Sequence, residues 1–244
     1  MAVVEFNKYT LKGEISMNQE YIFIDLTRPI HTGMPVFPAI TKTFLGVYQG
    51  HQETFRPPNF SVQTNILMMS DHAGTHIDAP IHFNPDGTGI DQFPIDLAFG
   101  PAVMQDFSFK KSGDVVILQE VKDKLQRIGV NPKDLKYILF RTGAAELYNT
   151  DKYMSYFLEI HVDAVEWMAN QGILVFGVDA STVDRDPDRS THMFMRKKVC
   201  YHIENLANLD KLPQDKIFTF ICTPLCLKGS SASPIRAVAV LSRK

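Results

Sequence analysis

The sequence predicts a single mixed α/β domain. Its 244 residues, 45% hydrophobic and 21% charged, suffice for one large globular domain, and no repeat, low-complexity segment or convincing linker divides them. The first half is irregular and rich in turn residues, which favours short, antiparallel strands. The second half alternates helical periodicity with short apolar runs, as β/α units do.

The first half offers three strands and an aromatic segment. Residues 21–26 predict a strand that ends before Pro29, and residues 61–70 and 102–107 predict two more. Between them, residues 44–60 carry four aromatic side chains among glycines and prolines. We expect these aromatic residues either to wall a pocket for a flat substrate or to pack loosely in the core.

The second half offers two helices and four buried strands. Apolar residues recur at helical spacing over residues 118–128 and 162–170, and each segment is followed by a glycine, Gly129 or Gly172. Apolar runs predict buried strands at residues 137–140, 173–178, 217–221 and 235–241.

Residues 71–83 (Asp-His-Ala-Gly-Thr-His-Ile-Asp-Ala-Pro-Ile-His-Phe) hold three of the eight histidines. A helix would turn Asp78 about 120° away from His72 and His76, and Pro80 would disrupt it. An extended chain instead places the polar donors on one edge: His72, His76, Asp78 and His82. Because a fully extended segment would spread them too far apart, we expect bends at Gly74 and Pro80.

These donors favour a metal site over a polar turn with hydrogen-bonded surface histidines. His76 and Asp78 aim neighbouring donors at one metal, His72 folds back to join them, and His82 lies just beyond. Imidazole with carboxylate suits Zn, Mn, Fe or Co, and the lack of a nearby cysteine argues against a closed structural zinc site.

Residues 72–82 resemble the His-x-Gly-Thr-His-x-Asp-x-Pro-x-His signature of the cyclase-like metal-dependent hydrolase family, which includes bacterial kynurenine formamidases and isatin hydrolases. Four further segments are similar to that family, in its order: Asp-Leu-Thr-Arg-Pro-Ile (25–30), Arg-Thr-Gly (141–143), Gly-Val-Asp-Ala-Ser-Thr-Val-Asp (177–184) and Ser-Pro-Ile-Arg-Ala-Val (233–238). The resemblance implies a layered β/β/α, swivelling-domain-like fold over residues 21–244, with residues 1–20 as an N-terminal extension.

The resemblance also implies roles for individual residues. The implied ligands of one metal are His72, His76 and Asp78, and those of a second metal are Asp78, His192 and Glu204. Zinc is expected first, with manganese or cobalt as alternatives. His82 takes the acid/base role. Phe37 matches a position that is typically a pocket-lining tryptophan in the family's formamidases, so this chain keeps the aromatic face and loses the N–H.

The chemistry expected of such a site is hydrolysis. A metal lowers the pKa of bound water from 15.7 toward about 7 and stabilises the oxyanion formed on an attacked carbonyl. We therefore expect a metal-dependent hydrolase of a small aromatic amide. Arylformamidase is favoured, converting N-formylkynurenine to kynurenine and formate in tryptophan catabolism, and isatin-type lactam or ester hydrolysis follows closely.

Two other classes of protein stay open. His76, Asp78 and His192 also match the two-histidine, one-carboxylate set of Fe(II) oxygenases, although that role leaves the other donors unused. A non-catalytic metal-binding protein would keep the fold without the reaction.

Composition indicates the setting in which the protein acts. A net charge of −2 gives no footprint for nucleic acid or an acidic membrane. The first residues lack a basic region followed by an apolar core, and no run approaches the 18 apolar residues or so of a membrane span, so we expect a cytoplasmic protein. The three cysteines are expected to be reduced. The resemblance to the family implies that the chain forms a homodimer or a larger assembly.

Overall fold

The computed structural model describes residues 21–184 and 190–243, so the predicted extension over residues 1–20 lies outside the described residues. The strands in the described residues are β1 (Tyr21–Asp25), β2 (Phe44–Gln49), β3 (Thr64–Met68), β4 (His76–Asp78), β5 (Phe99–Asp106), β6 (Val115–Val116), β7 (Tyr137–Arg141), β8 (Glu159–Ile160), β9 (Val175–Val178), β10 (Tyr201–Glu204), β11 (Phe218–Pro224) and β12 (Ala232–Ser242). The α-helices are α1 (His51–Thr54), α2 (Leu118–Arg127), α3 (Val162–Asn170) and α4 (Ser190–Lys197).

Most of the strands form one mixed sheet that closes into a barrel. Strands β5, β7, β9 and β10 are parallel neighbours, and β10 continues into antiparallel β4. The long strand β12 pairs with β4 through residues 232–234 and with β11 through residues 235–240. Since β11 pairs in turn with β5, the sheet returns to its starting strand, and β1 adds to the outside edge of β12.

Alternating side chains of the barrel strands face two separate hydrophobic clusters. Tyr137 and Leu139 of β7 face the barrel interior, whereas Ile138 and Phe140 face the cluster that contains α2 and α3. All four are buried, and burying an apolar side chain of this size contributes about 1.5–3 kcal/mol. The barrel walls and the helix layer give the mixed α/β domain that the sequence predicts.

The two predicted helices end where the sequence indicated. In α2, Val121 and Leu125 are buried, the Glu120 carboxylate accepts the Ile117 N–H at 3.0 Å, and Gly129 follows the helix with φ +67°. Helix α3 covers the predicted residues 162–170, and Gly172 has φ +92°. A positive φ favours glycine, which explains why a glycine terminates each helix.

The aromatic segment is where the prediction is wrong. Residues 44–49 form β2, which pairs with β3 in a two-stranded ribbon separate from the barrel. The aromatic side chains of residues 44–60 neither wall the cavity described below nor pack in the core: Tyr48 is 69% exposed, and Phe55 and Phe60 are each 56% exposed. The predicted strand at residues 61–70 is present as β3, where it pairs with β2 in this ribbon.

The division into an antiparallel first half and a β/α second half holds only in part. Strand β5 lies in the first half yet pairs in parallel with β7, while β11 and β12 in the second half are antiparallel. Helix α4 has no counterpart among the predicted helices.

Among the described residues, none of the helices has the length and apolarity needed to cross a membrane. The cysteines Cys200, Cys222 and Cys226 are free, as predicted.

Candidate metal centre

The histidine-rich segment is bent at the two positions that the sequence indicated. Gly74 has φ +73°, and Pro80 begins a 3-10 turn that includes His82. Only the three residues of β4 between these bends are a strand, so His72 and His82 do not share its edge as predicted. They reach the same site because the bends fold the chain back on both sides of β4.

Strand register places a second pair of donors beside β4. Glu204 of β10 lies directly opposite His76, and His202 lies opposite Asp78. The intervening isoleucine of each strand is buried in the barrel cluster. Because strand side chains alternate, the four polar residues share the other face. The His76 Nε2 atom lies 3.3 Å from Asp78 Oδ1 and 3.6 Å from Glu204 Oε2.

Hydrogen bonds orient the ring of His72. The Asp71 carboxylate accepts the Ser231 hydroxyl at 3.0 Å, so the Ser231 oxygen is left to accept the Nε2–H of His72 at 2.9 Å. This assigns the proton of a neutral His72 to Nε2. The lone pair on Nδ1 then points at Asp78 Oδ1, which is 2.9 Å away.

His76 is oriented in the same manner by the backbone. Its Nδ1–H donates to the Gly74 carbonyl oxygen at 2.8 Å, so its Nε2 carries a lone pair. Burial raises the pKa of Asp78, but hydrogen bonds donated by His72 and His76, and the positive charge of these rings when protonated, outweigh burial and hold that pKa well below its usual value. With both rings neutral, two nitrogen lone pairs would face one buried carboxylate, so the arrangement requires a proton or a cation between them.

A second group of donors comes from α4 and β10. His192, His202 and Glu204 each offer a ligand atom within 4.8 Å of the other two. The Asp184 carboxylate contacts His192 Nδ1 and also accepts the backbone N–H groups of Thr191 and His192 at 3.3 and 3.0 Å, which fixes the start of α4.

His82 lies at the edge of the first group. Its ring centroid is 4.1 Å from that of His72, and it offers a nitrogen within 4.8 Å of donor atoms of His72 and Asp78. Withdrawal from bulk water lowers the pKa of His82 to about 4, although Asp78 opposes this shift. A neutral His82 is a proton acceptor at neutral pH, and it also lies within reach of the metal ligand set.

A cavity of about 560 Å³ opens over both groups of donors. Beside the polar donors, apolar side chains line it: Pro35, Val36, Phe37, Ile40, Met154 and Phe157. Phe37 is 43% exposed, so its ring is available to a molecule in the cavity. A volume of this size with a few polar groups at its base suits a small organic molecule.

The donors fit divalent metal ions. Among the described residues, four buried polar atoms of the site have no hydrogen-bond partner: His76 Nε2, Asp78 Oδ1 and both ring nitrogens of His202. Ligand atoms bound at 2.0–2.1 Å to a tetrahedral zinc lie about 3.4 Å apart. The separation of 3.3 Å between His76 Nε2 and Asp78 Oδ1 is of this size and is longer than a good hydrogen bond.

Comparison with known proteins assigns the family. The “Putative cyclase” family matches residues 24–185. The chain belongs to this cyclase family. Its cyclase-family relatives include a kynurenine formamidase of Paracidovorax citrulli (strain AAC00-1), which is 30% identical over 216 residues, covering 88% of this chain and 94% of that protein.

Solved structures confirm the cyclase-family fold. An isatin hydrolase bound to the product analogue thioisatinate has a TM-score of 0.79 at 20% identity, covering 92% of this chain and 94% of that one. A protein described as a potential metal-dependent hydrolase with cyclase activity has a TM-score of 0.70 at 23% identity, covering 90% and 98% of the two chains. The predicted layered fold is thereby confirmed.

Sequence reasoning missed His202, Asp184 and Ser231. A signal for His202 was present: His202-Ile203-Glu204 repeats the polar, apolar, polar order of His76-Ile77-Asp78. Two such strands can pair with their polar residues on one face. Ser231 carried no comparable signal, because its role depends on the distant Asp71 and His72.

Proposed function

We propose that this cyclase-family protein is a metal-dependent hydrolase that cleaves the C–N bond of a small aromatic amide, with arylformamidase the favoured activity. The observation that carries the proposal is the convergence of nitrogen lone pairs and a shared carboxylate at the base of a cavity. The relation to a kynurenine formamidase supports the substrate, N-formylkynurenine, and thus a place in tryptophan catabolism.

The proposed ligands of one metal are His72, His76 and Asp78, and those of a second are Asp78, His192 and Glu204. Zinc is the favoured ion, with manganese or cobalt as alternatives. The description of a structural relative as a potential metal-dependent hydrolase supports metal dependence. A divalent cation held there supplies Lewis acidity, which makes water more acidic and stabilises negative charge on a carbonyl oxygen.

The chain's own residues supply proton transfer and positioning. His82 takes a proton at a ring nitrogen from the attacking water and returns it to the departing nitrogen, a role supported by its neutral state and its place in the cavity. Asp71 and Ser231 hold His72 in one orientation. Phe37 offers its ring as a flat surface for an aromatic substrate.

The test combines metal analysis with substrate trials. Protein purified without chelator is expected to contain a divalent metal, to release formate from N-formylkynurenine and to lose that activity on chelation. Restoring zinc, manganese or cobalt one at a time identifies the active ion. Metal-free protein that turns over neither formamides nor lactams would overturn the proposal and favour a non-catalytic binding protein.

Opening of an isatin-type lactam is the second candidate. It is favoured by the structural likeness to isatin hydrolase and by Phe37, which lacks the N–H of the tryptophan expected in formamidases. Comparison of kcat/KM for isatin and N-formylkynurenine decides between the two.

The Fe(II) oxygenase alternative is disfavoured, because the parallel strands and helices are not a jelly roll and because His72 and Glu204 lie among the same donors.

We further propose that the protein forms a homo-oligomer through the ribbon of β2 and β3, whose apolar side chains are exposed. Burying them against a second copy removes a large apolar surface from water. Light scattering is expected to show that Val47→Lys dissociates the assembly, whereas Ile95→Lys, at an exposed isoleucine elsewhere, does not. An oligomer unaffected by Val47→Lys would exclude this interface.

We also propose a cytoplasmic location, which the unpaired cysteines support.

A further inference from the structure

We propose that His202 is an additional nitrogen ligand of the second metal position, beside His192, Glu204 and the shared Asp78. This inference rests on the proposed function only in assuming that metal is bound there. The juxtaposition that carries it is the pairing of β10 with β4, which sets His202 directly across from Asp78.

The geometry of the His202 ring fits a ligand. Its Nδ1 atom lies 3.6 Å from Glu204 Oε1 and 3.8 Å from Asp78 Oδ2. These distances exceed those of a hydrogen bond, yet they are close to the spacing of about 3.4 Å between two ligand atoms on one tetrahedral zinc. The ring stacks on Phe176 at 4.7 Å between centroids, and its Nδ1 atom faces the two carboxylates.

The alternative is a histidine that merely fills the core. Buried histidines of that kind have hydrogen-bonded nitrogens, because an unpaired polar group is costly away from water. His202 is completely buried, and neither ring nitrogen has a hydrogen-bond partner. A cation at the second position would satisfy Nδ1.

A ligand set with two imidazoles has a consequence for the metal. Carboxylates alone suit magnesium and manganese, whereas imidazole favours zinc, cobalt and iron. His202 therefore biases the second position toward zinc or cobalt over manganese. Replacing His202 alone therefore tests this metal preference without changing the other proposed ligands.

The test is metal titration of apo protein for the wild type, His202→Leu and a control variant. The control is His51→Gln, which alters the exposed histidine at the start of α1. Elemental analysis of the wild type is expected to give two zinc ions per chain, and His202→Leu is expected to retain one and bind the second at least about tenfold more weakly. Manganese binding should change less than zinc binding. The visible spectrum of bound cobalt should change in His202→Leu and not in His51→Gln.

Thermal unfolding of the apo proteins separates ligation from folding. Without metal, His202→Leu should melt no lower than the wild type, because an apolar side chain replaces two unpaired nitrogens. If the leucine variant does not fold, His202→Gln is used with the same expected loss of the second ion. Two zinc ions bound at wild-type affinity in either variant would overturn the role of His202 alone, whereas a wild type that binds no metal would overturn it together with the proposed function.

Discussion

The two groups of donors in the candidate metal centre are built differently. The first, around His72, His76 and Asp78, comes from one bent segment whose donors lie within a few residues of each other. The second gathers His192 from a helix with His202 and Glu204 from a barrel strand. The first group is therefore visible as a motif, whereas the second exists only once β10 has paired with β4 in the correct register.

Asp78→Asn tests whether the two groups share one centre, and it should have the largest effect. Asp78 contacts both histidines of the first group and faces His202 of the second. We expect loss of both metals and a fall in kcat/KM of more than about 10⁴-fold, the upper end of what one acid–base group contributes. Elemental analysis and formamide turnover measure this, with exposed Asp86→Asn as the control. One ion retained at full affinity would show two independent sites.

His82→Ala tests whether His82 transfers protons or is a metal ligand of the first group. Its proposed role in proton transfer predicts a drop in kcat of about 10²–10⁴-fold with both metals retained. Its nitrogen also lies within reach of His72 and Asp78, so loss of metal in this variant would make it a ligand of the first group instead. Metal content measured beside kcat separates the two roles, and His31→Ala, at an exposed histidine, serves as the control.

Ser231→Ala probes the support of the first group alone. It removes the oxygen that accepts the His72 Nε2–H, and loss of such an orienting partner weakens metal affinity by about 10–100-fold. Ser230→Ala is a matched control, since Ser230 also donates to Asp71, whereas the hydrogen bond of His72 Nε2 is made with Ser231. Zinc titration should therefore show weaker binding in Ser231→Ala than in Ser230→Ala. Equal zinc affinities in the two variants would contradict the role of Ser231 in orienting His72.

Phe37→Trp should have the smallest effect, because it alters the cavity wall and neither group of donors. The added indole N–H offers one hydrogen bond, worth about 0.5–1.5 kcal/mol, or roughly two- to tenfold. We expect the ratio of kcat/KM for N-formylkynurenine over isatin to rise by this factor with unchanged metal content. Phe37→Leu removes the aromatic face and should weaken both substrates. An unchanged ratio in Phe37→Trp would place the substrate away from this wall.

The same contrast explains how much of the site the sequence could predict. His72, His76 and Asp78 are clustered, and Gly74 and Pro80 mark the bends between them, so local geometry suffices. His192 and Glu204 were placed only by family resemblance. His202 was missed because a lone histidine in a strand does not reveal which strand will lie beside it.

The fold shows the same limit. Helix α3 was predicted to the residue, because its apolar spacing and Gly172 are local signals. Strand β2 and its pairing with β3 were not predicted, since the exposed aromatic side chains of β2 violate the rule that apolar residues are buried. Closure of the barrel depends on β12 pairing with both β4 and β11, which no local pattern encodes.

The hydrogen bond between His72 and Ser231 joins residues 159 positions apart. Contacts of such long separation form late in folding. During translation, the nascent chain therefore displays its histidine motif well before Ser231 has left the ribosome and can aim the ring of His72. We therefore expect a metal at this position to be held in its final geometry only by the complete chain.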